Sequence, residues 1–441
     1  MSQERKPTTP GAQAHGPTES KLLSDDFFPI YNWAQRLHPE KGWAERTLQD
    51  LAELGLTAVM TGGEMKPTEV LDLCQKYGLK AIVSLPDIIG SRNLREADPT
   101  LEQPTQDDLR KRYAPVKELA RHPALLGVMF GDEPHAANMA AMAKEYHVFK
   151  ELLPSIVPYC DVYPNGLPPD RLGVETYEEY VRTYVETVNP VVVSGISSWA
   201  FQEDETNVSW TWMKPCDTST RMDEWLEGIE ILSRVAREHD ILFWNFVSCV
   251  GFANQRVKSE ADLTFQVYGA LAHGARGIAY FMTGPGGGWA RGYPLDGFGH
   301  RTPTFDIVRR LNLQIRTLAP LLLRLRLKDV YHWPDVPKGC KALTGKGVIK
   351  KPTVSADGRS IFIGEFVHED GSPYVIVVNK NLERSCNLGD LLRGKYGEGD
   401  VFYQQNRWGL SKTGEDKLEL RGSEAGWVAP GDAWLLRVPV E

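Results

Sequence analysis

Between residues 27 and 325 the chain alternates eight times between a short apolar run and a longer amphipathic one. The apolar runs fall at 27–33, 57–63, 79–86, 125–134, 156–165, 189–199, 241–252 and 275–284. The stretches between them, such as "AERTLQDLAELG" and "PTEVLDLCQKYG", repeat apolar residues at every third or fourth place and stop at glycine, as helices do. A strand–helix repeat predicts a parallel sheet covered by helices. Eight repeats predict a closed α/β barrel, the (β/α)8 TIM barrel, rather than an open sheet. No Gly-x-Gly-x-x-Gly follows the first run, so a dinucleotide-binding fold has no support.

After about residue 330 the helical period disappears. "RSIFIGEFVHEDGSPYVIVVNKN" alternates about a turn, and "DVFYQQNRWG", "DKLELRG" and "GDAWLLRVPV" continue in the same manner. The expected organisation is a disordered segment over 1–23, a barrel over 24–330, and a small antiparallel β-sandwich over 331–441.

Composition removes several classes of function. The formal net charge of −8 argues against nucleic acid or an anionic membrane as the main partner. No apolar run reaches the roughly 18 residues of a membrane span. The opening "MSQERKPTTPGAQAHGPTESK" has no apolar core of a signal peptide, so a cytoplasmic location is expected. Cys74, Cys160, Cys216, Cys249, Cys340 and Cys386 are widely spaced without a CxxC pair, which predicts reduced thiols and no zinc site. No metal or organic cofactor is implied, and the oligomeric state is left open.

In such a barrel the working groups sit at the C-terminal ends of the strands. Those ends carry Asn32, Glu64, Asp132, Glu133, Asp161, Tyr163, Trp199, Trp244, Asn245 and Tyr280, with Trp289 in the loop after the eighth strand. Carboxylates among aromatics suit glycoside chemistry: one acid protonates the leaving oxygen, a second group acts at the anomeric carbon, and ring faces carry the sugar. Against that, Glu133 could be an ion-pair partner of an Arg or Lys at the mouth, and Asp132 a structural acceptor. The asparagines could satisfy backbone groups. The aromatics could be core, Trp244 above all.

The layout resembles the clan A glycoside hydrolase barrels, whose acid/base Glu ends strand four. The stretch that carries the resemblance is "GVMFGDEPH", with its Asp-Glu-Pro ending. "RLGVETYEEYVRTYVETVNP", "DLTFQVYGALAHGARGIAYFMT" and the terminal "APGDAWLLRV" also resemble poorly characterised members of that group, over about residues 25 to 440. The resemblance implies a glycoside hydrolase acting on a carbohydrate, with Glu133 as general acid.

The departures are as informative. Retaining enzymes of that clan end strand seven in a nucleophilic Glu, whereas "ILFWNFVSCVGF" holds no acid. Three arrangements compensate. In the first, a 2-acetamido group on the substrate attacks, oriented by Asp132; this requires the strand to have ended, because consecutive strand residues point opposite ways. In the second, a base such as Glu64, Asp161 or Asp296 activates water across the mouth. In the third, catalysis is lost and a carbohydrate-binding or scaffold protein remains. A polysaccharide lyase using mouth Tyr and Asn or His is a further alternative.

Overall fold

The computed structural model describes residues 26–438, apart from 34, 39, 41, 90–93, 102–103, 196–200, 202–217, 253–254, 285–289, 350–358, 389–400, 406–417 and 420–426. The parallel strands are β1 (Ile30–Asn32), β2 (Ala58–Gly63), β3 (Lys80–Val83), β4 (Leu125–Asp132), β5 (Val157–Val162), β6 (Val192–Gly195), β7 (Leu242–Ser248) and β8 (Ile278–Phe281). The helices between and after them are α1 (Trp43–Glu53), α2 (Pro67–Lys76), α3 (Gln106–Leu119), α4 (Ala136–Leu152), α5 (Tyr177–Val188), α6 (Thr218–Glu238), α7 (Glu260–Ala272) and α8 (Pro303–Leu322). The starts of several follow from local chemistry. Thr105, Thr176 and Ser259 cap α3, α5 and α7 through side-chain oxygens, and Ser259 and Asp262 form a reciprocal capping box.

The first strand closes the ring by serving two neighbours in succession. Ile30–Asn32 pairs with β8, and the continuation Gln35–Leu37 pairs with β2. Thr57 bridges the change-over: its N–H donates to the Ile30 carbonyl at 2.8 Å, and its Oγ1 accepts from the Ile30 N–H at 2.8 Å.

Each strand is buried on both faces. Tyr31, Met60, Ile82, Leu126, Tyr159, Trp244 and Phe246 fill the interior, while Ile30, Val59, Val83, Val128, Phe243, Val247 and Ile278 pack outward under the helices. Packed side chains of this kind make the barrel a solid core with a mouth, not a pore.

The C-terminal region begins with β9 (Leu325–Trp333), directly after α8. It continues with β10 (Ile361–His368), β11 (Pro373–Asn379), β12 (Val401–Gln405) and β13 (Ala433–Arg437). Together with Lys341–Ala342 and Leu418–Glu419 these form a seven-stranded sheet, antiparallel except where Lys341–Ala342 joins β9. One face, with Phe362, Phe366, Ile376 and Leu435, joins the barrel core. The other, with Ile361, Ile363, Val375, Val377 and Leu436, has its own apolar cluster with Cys386 and Val428 of a two-stranded ribbon. In place of the expected sandwich, the described residues form one large sheet lying against the barrel, with a two-stranded ribbon on its outer face. Gly364 and Gly431 permit the close approach: a Cβ on them would lie 2.1 Å from the Ala272 carbonyl oxygen and 2.3 Å from that of Ala261, at the two ends of α7.

Cys74, Cys160, Cys249, Cys340 and Cys386 are free thiols, and Cys216 lies outside the described residues. No helix among the described residues is long and apolar enough to cross a membrane.

Candidate active site

Strand β4 delivers its acids through two irregularities. Its pairing with β5 slips between Met129 and Gly131, a β-bulge centred on Phe130. Unbroken alternation from inward Met129 would turn Asp132 out toward the helices. The extra residue brings Asp132 into register with Asp161 and so turns it inward. The strand then ends, and Glu133 takes a left-handed conformation at φ 47°, unusual for a residue with a side chain. That twist returns the Glu133 carboxylate to the side Asp132 already occupies. The expectation that the strand ends before Asp132 is not met; the bulge turns Asp132 inward instead, and only Glu133 lies beyond the strand.

Arg95 gathers them. Its Nη2 lies 2.5 Å from Asp132 Oδ2 and 3.1 Å from Glu133 Oε2. The segment that carries Arg95 is held on both sides. The Leu94 carbonyl accepts from the His135 N–H at 2.7 Å and from Asn138 Nδ2 at 3.0 Å. The Arg95 carbonyl accepts from the Tyr163 hydroxyl at 3.1 Å. Pro134 is fixed in turn by the Tyr180 hydroxyl, which donates to its carbonyl at 2.8 Å. An ion pair at the mouth is the alternative that the sequence leaves open for Glu133, and nothing in the loop around Arg95 marks it as the partner.

Burial dominates the electrostatics. It pushes the Glu133 carboxyl up to about 7; the Arg95 and Arg171 charges pull it down and the Asp132 charge pushes it further up. Burial likewise raises Asp132, against the Arg95 charge. Asp161 is fully buried, and its carboxyl is held well above the usual range by burial and then by the charges of Asp132 and Glu133. A carboxyl kept neutral near pH 7 can deliver a proton there, which is the property a general acid needs.

The other expected site residues divide by the face they occupy. Asn32 pairs with Tyr280, and Asn245 with Ile278, in the register of the outward-facing residues. Tyr280 is part of the core between strands and helices, and Asn245 Nδ2 donates to the Phe246 carbonyl at 2.9 Å. These three are corrected to buried outer-face positions, because parallel partners across a register share a face. Trp244 faces inward but is fully buried, 6.0 Å from Tyr159 and 5.5 Å from Tyr31 between ring centroids, so it is core packing and not a sugar platform.

Tyr163 borders the acids through Arg95, and burial raises its hydroxyl to about 12. Glu64 is exposed just beyond β2. Asp296 instead braces its own loop, accepting from the N–H groups of Phe298 at 2.9 Å and His300 at 2.8 Å. Trp199 and Trp289 lie outside the described residues. No group of three or more His, Cys, Asp or Glu suited to a metal occurs among the described residues.

Compared with known proteins, the chain matches no family model and no curated protein. Solved structures do match. One described as a glycoside hydrolase superposes over 93% of this chain and 92% of its own, with a TM-score of 0.51 and 11% identity. The chain shares the (β/α)8 barrel fold of that structure.

A GH42 β-galactosidase from G. stearothermophilus matches with a TM-score of 0.46 and 11% identity, over 67% of this chain and 57% of its own. A GH2 β-galacturonidase from Eisenbergiella tayi matches at 0.41 and 15%, over 65% and 51%. The chain thus spans little more than half the length of those two proteins. At such identities the likeness concerns the fold alone.

Proposed function

We propose that the protein hydrolyses a glycosidic bond in an oligosaccharide or glycan, with Glu133 as general acid and Asp132 as the assisting carboxylate. One observation carries this reading: at the mouth of a glycosidase-like barrel, a carboxyl raised to about 7 stands beside a second carboxylate on a shared arginine. Glu133 gives its proton to the glycosidic oxygen as the bond to the anomeric carbon breaks and its electron pair passes to that oxygen. Water then adds to the anomeric carbon, and its proton returns to Glu133.

Strand β7 ends at Ser248 and supplies no nucleophilic carboxylate. The second group is therefore sought elsewhere. Asp132 suits the orientation of a 2-acetamido substituent that attacks the anomeric carbon from within the substrate. Glu64, exposed just beyond β2, is a candidate base for an inverting route. The same missing acid favours one other reading, a carbohydrate-binding protein in which Arg95 neutralises two structural acids.

Turnover of a panel of aryl glycosides, 2-acetamido sugars included, by the wild type and Glu133→Gln separates the two. A hydrolase cleaves at least one glycoside and loses that turnover in the variant while binding persists. A binding protein cleaves none, and the variant changes neither property.

A further inference from the structure

Two carboxyls, those of Asp132 and Glu133, meet the guanidinium of Arg95, and a third, that of Asp161, lies next to Asp132. Asp132 and Glu133 reach it directly. Asp161 stands behind them, in register with Asp132 on the neighbouring strand and with no exposed surface. Both Asp161 oxygens and the Asp132 oxygen turned away from Arg95 are buried, and none accepts a hydrogen bond from an N–H or O–H of a neighbouring residue. Two carboxylates facing each other in this way repel, and these three oxygens lack a donor; a single proton between the aspartates removes the repulsion and pairs one oxygen of each.

Among the described residues, the other titratable groups around Asp161 offer no cation besides Arg95 that acts on it. Tyr31 and Tyr159 face the same interior, and the Tyr159 hydroxyl donates to Ser194 Oγ at 2.9 Å. Cys160 is buried on the outer side of the strand, Tyr163 donates to the Arg95 backbone, and Arg171 acts on Glu133.

We propose that Asp161 is a positioning residue that stays neutral and donates its carboxyl O–H to Asp132, fixing Asp132 as the ionised partner of Arg95. This rests on the hydrolase reading for its consequence, but not for its existence. Asp161 then touches no substrate. It removes the repulsion that would turn Asp132 away, and it leaves Asp132 as the only full charge of the aspartate pair. It also explains why Asp161, placed at a strand end like a catalytic base, is unfit to be one: a base must meet water and be ionised.

Infrared difference spectra of the wild type against Asp161→Asn, with Glu133→Gln as control, test the protonation directly. At about pH 9, where Glu133 is ionised, the expected difference is a lost neutral-carboxyl band. Loss of an ionised-carboxylate band instead overturns the proposal.

Turnover supplies the second readout. Asn keeps an N–H donor for Asp132, so Asp161→Asn retains activity within about three-fold. Asp161→Val removes the donor and loses about ten-fold or more in kcat, the worth of one hydrogen bond. Loss in Asp161→Asn as deep as in Glu133→Gln overturns the positioning role. Where Asp161→Val does not fold, the Asn variant and the spectra decide. If the wild type cleaves nothing, the hydrolase reading falls, and the spectra still judge Asp161.

Discussion

Asp132 and Glu133 are neighbours in the chain, yet their carboxylates meet the same nitrogen of Arg95, at 2.5 and 3.1 Å. In an extended strand they would lie on opposite faces. The bulge at Phe130 and the left-handed backbone at Glu133 bring them together. Because Glu133 is held at about 7, its acid form prevails below that pH and is lost above it. For a general acid, kcat/KM should therefore fall on the alkaline side of about pH 7. Glu133→Gln should lower kcat by roughly 10²–10⁴-fold, measured by steady-state turnover.

The same carboxyl links stability to pH. A carboxyl raised on folding contributes stability that is fully present below its unfolded value of 4.5 and is lost as pH rises through about 7. Glu133→Gln cannot ionise and escapes that loss. Its melting temperature should gain on that of the wild type as pH rises from about 4.5 to about 7 and keep a constant difference above that, in thermal scans across a pH series.

Arg95 lowers the Glu133 carboxyl while burial raises it. Arg95→Met removes the lowering charge and leaves Asp132 and Glu133 to repel each other. The alkaline limb of the activity profile should move upward in pH, the direction opposite to a simple loss of function. The variant should also lose about 1–3 kcal/mol of stability, since its carboxylates keep their burial and lose their partner. Titration by denaturant gives that number.

Where the sheet lies against the barrel, His273 and His332 are buried near Phe362, and Glu230 Oε2 lies 3.7 Å from His273 Nε2. Burial lowers His273 to about 4 and His332 well below its ordinary value. Each histidine is folded in its neutral form, so stability is lost as pH falls from about 6.5 toward 4, where the unfolded chain takes up protons first. Burial raises Glu230 to about 7, and its contribution has the opposite slope. His332→Phe should flatten the acid side of the melting-temperature profile and leave the side above pH 7 unchanged.

Gly364 meets the end of α7 with no room for a side chain, a Cβ there falling 2.1 Å from the Ala272 carbonyl oxygen. Gly364→Ala should cost about 1–3 kcal/mol and lower the melting temperature, because backbone must separate from backbone to admit the methyl group. Alanine at Gly371, where a Cβ meets nothing within 4 Å, serves as a comparison in which only the backbone preference of a positive φ is disturbed.

The sequence by itself determined the strands, the helices and the place of the acids. Runs such as "LLGVMFGDEP" are apolar enough, and spaced regularly enough by amphipathic helices, that eight parallel strands are the consistent reading. The ending "GDEP" marked the pair that meets Arg95. Which way each side chain faces was decided only by the tertiary structure. A strand buried on both sides has no apolar–polar alternation to reveal its register. Asn32, Asn245 and Tyr280 therefore read as mouth residues, although pairing with the neighbouring strands turns them toward the helices. Arg95 was equally hidden: it comes from the connection after β3, and only closure of the barrel carries it to the end of β4. Asp161 acquires its character in the same way, from the register that sets it against Asp132 away from water. Local sequence fixes secondary structure because backbone preferences act over a few residues. Charge state and facing depend on neighbours far along the chain, and those are set when the barrel closes.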